Sequence, residues 1–496
     1  MPGATSTSPG ASDAEATAGG HPRRWVALAV IAIAQLMVVL DATIVNIALP
    51  HAQADLSISD ADRQWVVTAY TLTFGGLLLL GGRIADYWGR KRAFLVGMVG
   101  FAVASAIGGV ANTGEMLFAA RALQGAFGAL LAPASLALLT VLFTETRERA
   151  KAFAVYGAIA GGGSAVGLLL GGVLTEYASW RWCLLVNILI AAVALAAAIP
   201  LVPESRAHGN TRYDVPGAVV VTAGLVSLVY GFTRAAEDGW SATSTLAFIA
   251  VGLALLAAFV VIELRSGHPL LPMRILLDRN RGGAYLTSTL IGAGLFGAFL
   301  FLTIYFQVVL RYTPLEAGLA SLPVTAGVLI AAGGASQLLP RIGAKPLMLS
   351  GAVLAVVGMA VLTQVEADTS FVTHLLPAQF ILGLGLGFTF VPLSSLALYG
   401  VPEHDAGAAS ATLNATQQVG GSLGTALLNT IYTSAVAGYL TNRVPDQTNQ
   451  VKALVHGYST AFVWAAGLIL LAGLATLVLV RVRREDVPTG GAVHMG

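Results

Sequence analysis

The sequence predicts an all-α polytopic membrane protein, and three observations carry that expectation. Of its 496 residues 56% are hydrophobic and only 10% are charged, where a soluble domain carries roughly 25% charged residues. Uncharged apolar runs long enough to span a bilayer recur along the chain with short loops between them. Three sets of residues then repeat in order at almost one spacing. Gly89, Lys91 and Gly97 are echoed by Gly343, Lys345 and Gly351, 254 residues on; Gly128, Pro133 and Ser135 by Gly387, Pro392 and Ser394, 259 on; Gly162, Gly163 and Ser164 by Gly420, Gly421 and Ser422, 258 on. Repeated halves around a midplane site are a transporter architecture. The expected plan is two six-helix bundles, with two inserted transmembrane helices filling the part of the repeat that six spans leave over.

Residues 1–24 form the first segment, an N-terminal tail rich in Ala, Ser, Thr, Gly and Pro that is expected to be disordered. A cleaved signal peptide is rejected, because the apolar run after Arg24 continues to Pro50 and contains Asp41 and Asn46. Fourteen candidate spans follow, near 26–48, 65–82, 93–111, 115–140, 152–174, 181–202, 215–233, 245–264, 283–308, 317–340, 346–364, 372–399, 407–434 and 459–481. They divide into an N-terminal bundle (25–204), a linker with two inserted helices (205–281), a C-terminal bundle (282–484) and a tail (485–496). With both termini cytoplasmic, twenty of the 27 Lys and Arg fall inside and six outside, and Arg121 lies within a span. The localisation expected is therefore the plasma membrane, multi-pass, with both tails cytoplasmic.

Composition also excludes. Net charge is +2, which gives no case for nucleic acid, and the single cysteine, Cys183, forbids an internal disulfide. No metal-ligand cluster, nucleophile motif or phosphate-binding G-x-x-x-x-G-K-[ST] is present, so neither an enzyme nor a metal or nucleotide cofactor is expected.

The loop Gly82-Arg-Ile-Ala-Asp-Tyr-Trp-Gly-Arg-Lys-Arg92 joins two uncharged runs, Trp65 to Gly81 and Ala93 to Ala111. Gly82 and Gly89 permit a close turn. One reading is a basic anchor with a stray carboxylate. The other is a latch, in which Asp86 and Arg90 hold neighbouring helix ends and release when the protein changes state. Gly82, Ile84, Ala85, Asp86, Gly89, Arg90 and Lys91 resemble the signature loop between spans 2 and 3 of major facilitator superfamily transporters. The resemblance implies a latch, with the aspartate holding the loop against a helix of the C-terminal half in the outward-facing state.

Asp41 lies in Leu40-Asp-Ala-Thr-Ile-Val-Asn-Ile-Ala-Leu-Pro50. An acid at this depth faces an interior or a water-filled cavity and is a functional candidate, or else it is a carboxylate near a helix end bonded to Thr43 or Asn46. The string resembles the L-D-x-T-I-V-N-V-A-L-P signature of fourteen-span drug:proton antiporters. Arg121 and Gln124 share a helix face in Arg121-Ala-Leu-Gln-Gly-Ala-Phe-Gly128, which resembles the family's R-x-x-Q-G-x-G motif. The resemblance implies proton transfer at the arginine, with Asp41 as its partner if the two meet. Otherwise Arg121 snorkels toward a membrane surface. Phe380 stands where the repeat would place a second Arg121.

Span 5 carries Gly163, Gly167 and Gly171 at four-residue intervals, a smooth packing face, followed by Gly172. It resembles the G-x-x-x-G-P-x-x-G-G antiporter motif with Leu168 in place of proline. Trp180 to Leu189 resembles W-R-W-x-F-x-x-N-x-P, again with leucine for proline at Leu189. Further strings similar to the family are Tyr213 to Gly217, His268 to Pro272, Tyr312 to Gly318 and Ala406 to Ser410. Asn46, Gln124, Tyr305, Gln307, Asn414 and Gln417 are candidates for lining a substrate cavity, and Gln418 for joining helices. Phe296, Phe299, Phe301, Tyr305, Phe306, Phe388 and Phe390 either form an apolar drug-binding wall or face lipid and packed helices. The expected function is export of hydrophobic or cationic small molecules in exchange for protons by a monomer, with a proton gradient as the driving force and no cofactor. The alternative is a carrier for one metabolite or natural product.

Overall fold

The computed structural model describes residues 23–482 apart from 144, 207–213, 268, 270, 272, 402–405, 442 and 444–445. The tail expected over 1–24 falls outside the described residues up to position 22, and so do the tail at 485–496 and parts of the strings at 213–217 and 268–272. The chain forms α1 (Arg24–Asp55), α2 (Trp65–Trp88), α3 (Arg90–Gly109), α4 (Gly114–Leu142), α5 (Thr146–Tyr177) and α6 (Trp182–Leu201). Two further helices, α7 (Val215–Asp238) and α8 (Thr243–Arg265), and a single turn, α9 (Met273–Leu276), lead to the second half. That half comprises α10 (Arg279–Ile304), α11 (Pro314–Ala320), α12 (Leu322–Ile342), α13 (Ala344–Leu362), α14 (Leu376–Ala397), α15 (Ala406–Leu440) and α16 (Gln447–Leu479). A π-helical turn, Tyr305–Val309, extends α10, and another, Phe371–Leu375, leads into α14.

Twelve helical stretches are long and apolar enough to cross a membrane among the described residues. The remaining long helices, α5 and α15, have 32 and 35 residues. Each of the fourteen stretches expected from sequence falls on a helix, but the ends differ. The last span was expected to begin at 459, whereas α16 begins at Gln447, because the Asp446 side chain accepts the Asn449 N–H at 2.6 Å and caps the helix well before the apolar run. Helix α1 runs on to Asp55 through Pro50. The break between α11 and α10 is also capped by sequence: Thr313 and Glu316 form a reciprocal capping box.

Helices α1 to α6 pack on one another, and α10 to α16 do the same. The inserted pair α7 and α8 packs together, and α7 also lies against α2 and α15. Glycine sets the closest crossings. A Cβ on Gly81 would meet the Ala129 carbonyl oxygen at 2.1 Å, and one on Gly125 would meet the Tyr70 carbonyl oxygen at 2.3 Å, so α2 and α4 touch backbone to backbone. In the second half Gly383 and Gly387 bring α14 equally close to α12. Gly163, Gly167 and Gly171 face α1, while Gly420 and Gly424 bring α15 against α10. The sequence repeat therefore marks a repeat of close helix crossings.

Arg279 at the start of α10 donates to the carbonyls of Val478 and Leu479 at the end of α16, at 2.8 and 3.2 Å. Helices α1 and α10 run the same way, since Gln307 just past α10 reaches Ile47 late in α1. Both described chain ends therefore lie at one end of the bundle. The halves meet along α2 and α15, where the Thr71 and Ser422 hydroxyls lie 2.6 Å apart, and again at the opposite, far end. There the Leu315 N–H donates to Glu176 at 3.1 Å, a Cβ on Gly172 would meet the Leu315 Cα at 2.6 Å, and the Gln307 amide donates to the Ile47 carbonyl at 3.0 Å. Toward the terminal end, Gly162 of α5 faces open space.

Candidate functional site

Asp41 and Arg121 meet in the interior of the first half. Asp41 sits about midway along α1 and Arg121 in the second turn of α4, and their side chains are 0% and 1% exposed. The Arg121 Nη1 donates to Asp41 Oδ2 and, at 2.9 Å, to Gln124 Oε1. Its Nε donates to the Val66 carbonyl at 2.9 Å, and the guanidinium lies 4.5 Å from the centre of the Tyr70 ring. Asp41 Oδ1 accepts from Gln124 Nε2 at 2.9 Å and from Asn187 Nδ2 at 2.8 Å. Both amides also reach the Ser105 hydroxyl at 3.0 Å, and that hydroxyl donates to the Leu184 carbonyl at 2.7 Å.

Five helices thus contribute to one polar knot: α1, α2, α3, α4 and α6. Every partner of the Asp41 carboxylate is a donor, and a guanidinium matches it in charge. That satisfaction is what allows two ions to sit in an apolar bundle, where an unpaired charge is strongly unfavourable. Arg121 is bonded inward, so it does not snorkel. Asp41 is held by Arg121, Gln124 and Asn187 instead of by Thr43 or Asn46. Thr43 bonds back to the Val39 and Leu40 carbonyls, and Asn46 to the Ala42 carbonyl at 3.4 Å. Ser105, Asn187 and Tyr70 belong to the knot and were not among the sequence candidates. Asn187 carried a signal, as the one amide in the otherwise apolar α6. Ser105 and Tyr70 carried none that distinguishes them from ordinary helix residues.

The cavity candidates separate. Asn414 and Gln417 line a cavity of about 270 Å³ in the second half, with Ser288, Phe390, Leu393 and Ser394. Gln124 does not line it, being sealed in the polar knot. Tyr305 does not either: it is 0% exposed, packed among Phe306 and Tyr458 because the π-helical turn points it into the far-end core. Gln307 joins the halves through Ile47. Of the aromatic wall only Phe390 reaches this cavity, since Phe301, Tyr305 and Phe306 are core residues. Gln418 packs across the halves, its Cβ 2.9 Å from where a Cβ on Gly75 would stand.

The charged loop between α2 and α3 is anchored mainly within its own half, and Arg83 reaches the Pro269 carbonyl of the linker at 3.4 Å. Asp86 Oδ1 accepts a fork from Arg90, at 3.1 Å from Nε and 2.9 Å from Nη2, across the break made by Gly89 at φ +129°. Glu204, just past α6, accepts the Lys91 N–H at 3.1 Å, and the Lys91 ammonium donates to the Ile199 carbonyl at 2.6 Å. No partner of Asp86 from the second half occurs among the described residues. Gly82 has only ordinary contact with Pro133 at 3.5 Å; its neighbour Gly81 makes the close approach. Gly172, unlike Gly163, Gly167 and Gly171, faces the other half, at Leu315. No group of acidic, His or Cys side chains able to hold a metal is present among the described residues.

Two repeated helix bundles, one of them with a sealed ion pair at its middle, are the architecture of a membrane transporter. The chain belongs to the major facilitator superfamily, whose family model matches residues 31–425. It is 49% identical to a puromycin resistance protein of Streptomyces alboniger, covering 97% of this chain and 96% of that one. It is 37% identical to a cephamycin export protein of Amycolatopsis lactamdurans, over 95% of each. Among solved structures it is similar to a bacterial homolog of the human lysosomal transporter Spinster in an inward-facing, unoccupied conformation, with a TM-score of 0.67 at 14% identity, covering 95% of this chain and all of that one.

Proposed function

We propose that the protein exports drugs or antibiotics in exchange for protons, by alternating access, with Asp41 and Arg121 as the coupling pair. The carrying observation is the sealed ion pair, in which every group around the Asp41 carboxylate is a donor. A proton delivered to Asp41 Oδ2 cancels its charge, puts an O–H donor against the Arg121 donor, and turns the charge-assisted bonds from Gln124 and Asn187 to Oδ1 into weaker neutral ones. Helices α1, α4 and α6 are then held together less firmly, so protonation favours a different packing of the first half. A change in protonation thereby shifts the balance between two conformations, as coupling requires.

The cargo side of the reading draws on the relatives, named for puromycin resistance and cephamycin export. The cavity beside α14 and α15 offers uncharged amides and hydroxyls on an apolar wall, which suits hydrophobic or weakly cationic solutes. A single natural product as cargo is the second reading, favoured by the fact that each of these relatives is named for one antibiotic. The excess of Lys and Arg at the terminal end supports reading the chain as a plasma-membrane protein with both tails cytoplasmic and fourteen spans, two of them the inserted α7 and α8. The far end is then external, and it is an end at which the halves are closed against each other. The chain works as a monomer.

Purified protein in liposomes, with a trapped pH dye and an imposed proton gradient, tests this. Addition of puromycin or a cationic dye should drive proton flux in the wild type and none in Asp41→Asn. Proton flux in the mutant equal to wild type removes Asp41 from coupling, and no substrate-dependent flux with any compound removes antiport.

A further inference from the structure

A second buried arginine lies at the far end, and the mechanism above does not use it. Arg63 stands at the end of the loop between α1 and α2 and is 2% exposed. It belongs to the first half by sequence, yet it is buried in the second. Its guanidinium carbon is 4.7 Å from the centre of the Tyr432 ring on α15 and 5.8 Å from that of Phe301 on α10. Tyr458 of α16 closes the box, 4.9 Å from Tyr432 and 6.2 Å from Phe301 between ring centres. The loop that delivers Arg63 is seated on the same half, because the buried Asn429 amide of α15 donates to the carbonyls of Asp60 and Ala61, each at 3.1 Å.

The arginine is poorly satisfied by hydrogen bonds. One terminal nitrogen reaches Asp60 at 3.3 Å, and that carboxylate is itself half-exposed. Its Nε and other terminal nitrogen are buried with no well-formed hydrogen bond. The contrast with Arg121, which is bonded to a carboxylate, an amide and a carbonyl, is direct. What holds Arg63 is the aromatic cage, the ring faces together with the Tyr432 and Tyr458 hydroxyls beside it, and the cation–ring attraction strengthens when the cation is desolvated. A cation held this way is stabilised in the cage, and leaving the cage restores its hydration, which offsets part of the loss. That balance suits a part that must dock and undock.

We propose that Arg63 is the plug that closes the far end of the transporter, and that its withdrawal from the Phe301, Tyr432 and Tyr458 cage is required for the far end to open. This rests on the alternating-access reading above. In that cycle the cage and the plug belong to different halves, so separating the halves at the far end separates them.

A reporter cysteine distinguishes failure of the plug from failure of alternating access. Gln307→Cys in a Cys183→Ser background sits at the far-end seam, where Gln307 crosses to Ile47. Labelling by an impermeant maleimide added from the far side is read in proteoliposomes. Gly172→Phe serves as a wedge, since any side chain there must push Leu315 away. Arg63→Ala should raise the labelling rate about tenfold, the scale expected for loss of a desolvated cation–π contact. Tyr432→Leu should raise it in the same direction and keeps the test open if Arg63→Ala does not fold, while Arg63→Lys should fall between. If the wedge raises labelling and the folded Arg63 and Tyr432 variants do not, the plug is wrong while alternating access stands. If the wedge leaves labelling unchanged as well, the far end does not open and both readings fall.

Discussion

The two halves share one scaffold and differ in what they bury. In the first, α1 and α5 meet along Gly163, Gly167 and Gly171, and α4 is fitted to α2 at Gly81 and Gly125. In the second, α10 and α15 meet at Gly420 and Gly424, and α14 is fitted to α12 at Gly383 and Gly387. Yet α4 carries Arg121 in a sealed network of ions and amides, whereas the matching part of α14 carries Phe380 and a lone buried amide, Gln379, that donates to the Ala320 carbonyl at 2.9 Å. The second half has instead a cavity with a polar lining beside α14 and α15. Duplicated helix crossings fix the shape, and the residues added to that shape differ: a buried ion pair in one half, an amide-lined cavity in the other.

The largest expected effects test that division at its charged end. Asp41→Ala leaves a buried arginine without its carboxylate and should cost about 3–5 kcal/mol. Gln379→Leu, at the comparable place in the second half, should cost about 1 kcal/mol, the scale of one neutral hydrogen bond. Unfolding in detergent, followed by thermal melts of the two variants side by side, measures the gap. Replacing both Asp41 and Arg121 by Leu should recover most of the stability, since no charge is then stranded, while substrate-driven proton flux stays absent. Equal losses for Asp41→Ala and Gln379→Leu would mean the halves do not differ in the way described.

The duplicated scaffold also makes a second comparison at closely packed glycines. An Ala Cβ at Gly424 would stand 2.1 Å from the Ala293 carbonyl oxygen and 2.2 Å from its Cα, both fixed backbone atoms. At Gly167 the nearest obstacle is the Thr43 hydroxyl at 2.0 Å, a side-chain atom that turns aside by changing rotamer. Gly424→Ala should therefore destabilise by about 1–3 kcal/mol through overpacking, and Gly167→Ala by clearly less, helped by the better helix propensity of alanine. The same melts decide the order, and a reversal would place the tighter seam in the first half.

Much of this was legible in sequence, and the reasons are physical. Apolar length reports a membrane helix directly, so each expected span falls on a helix. Asp41 and Arg121 stood out because charge inside an apolar run is rare. What sequence could not supply was any property that depends on which helices touch. Asn187 joins Asp41 across 146 residues and joins Ser105 across 82 only because α3 and α6 flank α1 and α4, and those separations hide that. Tyr305 and Gln307 were expected in a cavity because they are polar or aromatic within a span. A π-helical turn rotates the end of α10 and sends them into the seam and the core instead. Arg63 looked like an external loop charge, because nothing in the string around it reveals an aromatic cage more than two hundred residues away.

At the cavity end of the comparison a smaller effect is expected. Asn414→Leu removes a polar group from the cavity wall without touching the ion pair. If the amide meets substrate, KM should rise by about two- to tenfold, the worth of a neutral hydrogen bond, with proton coupling intact. Transport kinetics in vesicles separate the two quantities. A loss of coupling with KM unchanged would put charge handling in the second half after all.

The smallest effect on stability is expected at the loop between α2 and α3, and its interest lies in the mismatch with function. The Asp86 and Arg90 side chains are 38% and 18% exposed, and a solvent-exposed pair of this kind is worth about 0–1 kcal/mol. Asp86→Asn should accordingly leave the melting curve almost unmoved. The loop is nonetheless clamped to the end of α6 through Glu204 and Ile199, contacts that belong to this conformation and would have to change if the helix ends move. Asp86→Asn should slow turnover while leaving substrate binding near the wild-type level. Binding measured by equilibrium titration and turnover measured by vesicle uptake, on the same preparation, give the ratio. Turnover that tracks stability, with both unchanged, would reduce the loop to a basic anchor and leave the ion pair of the first half as the sole charged device on that side of the molecule.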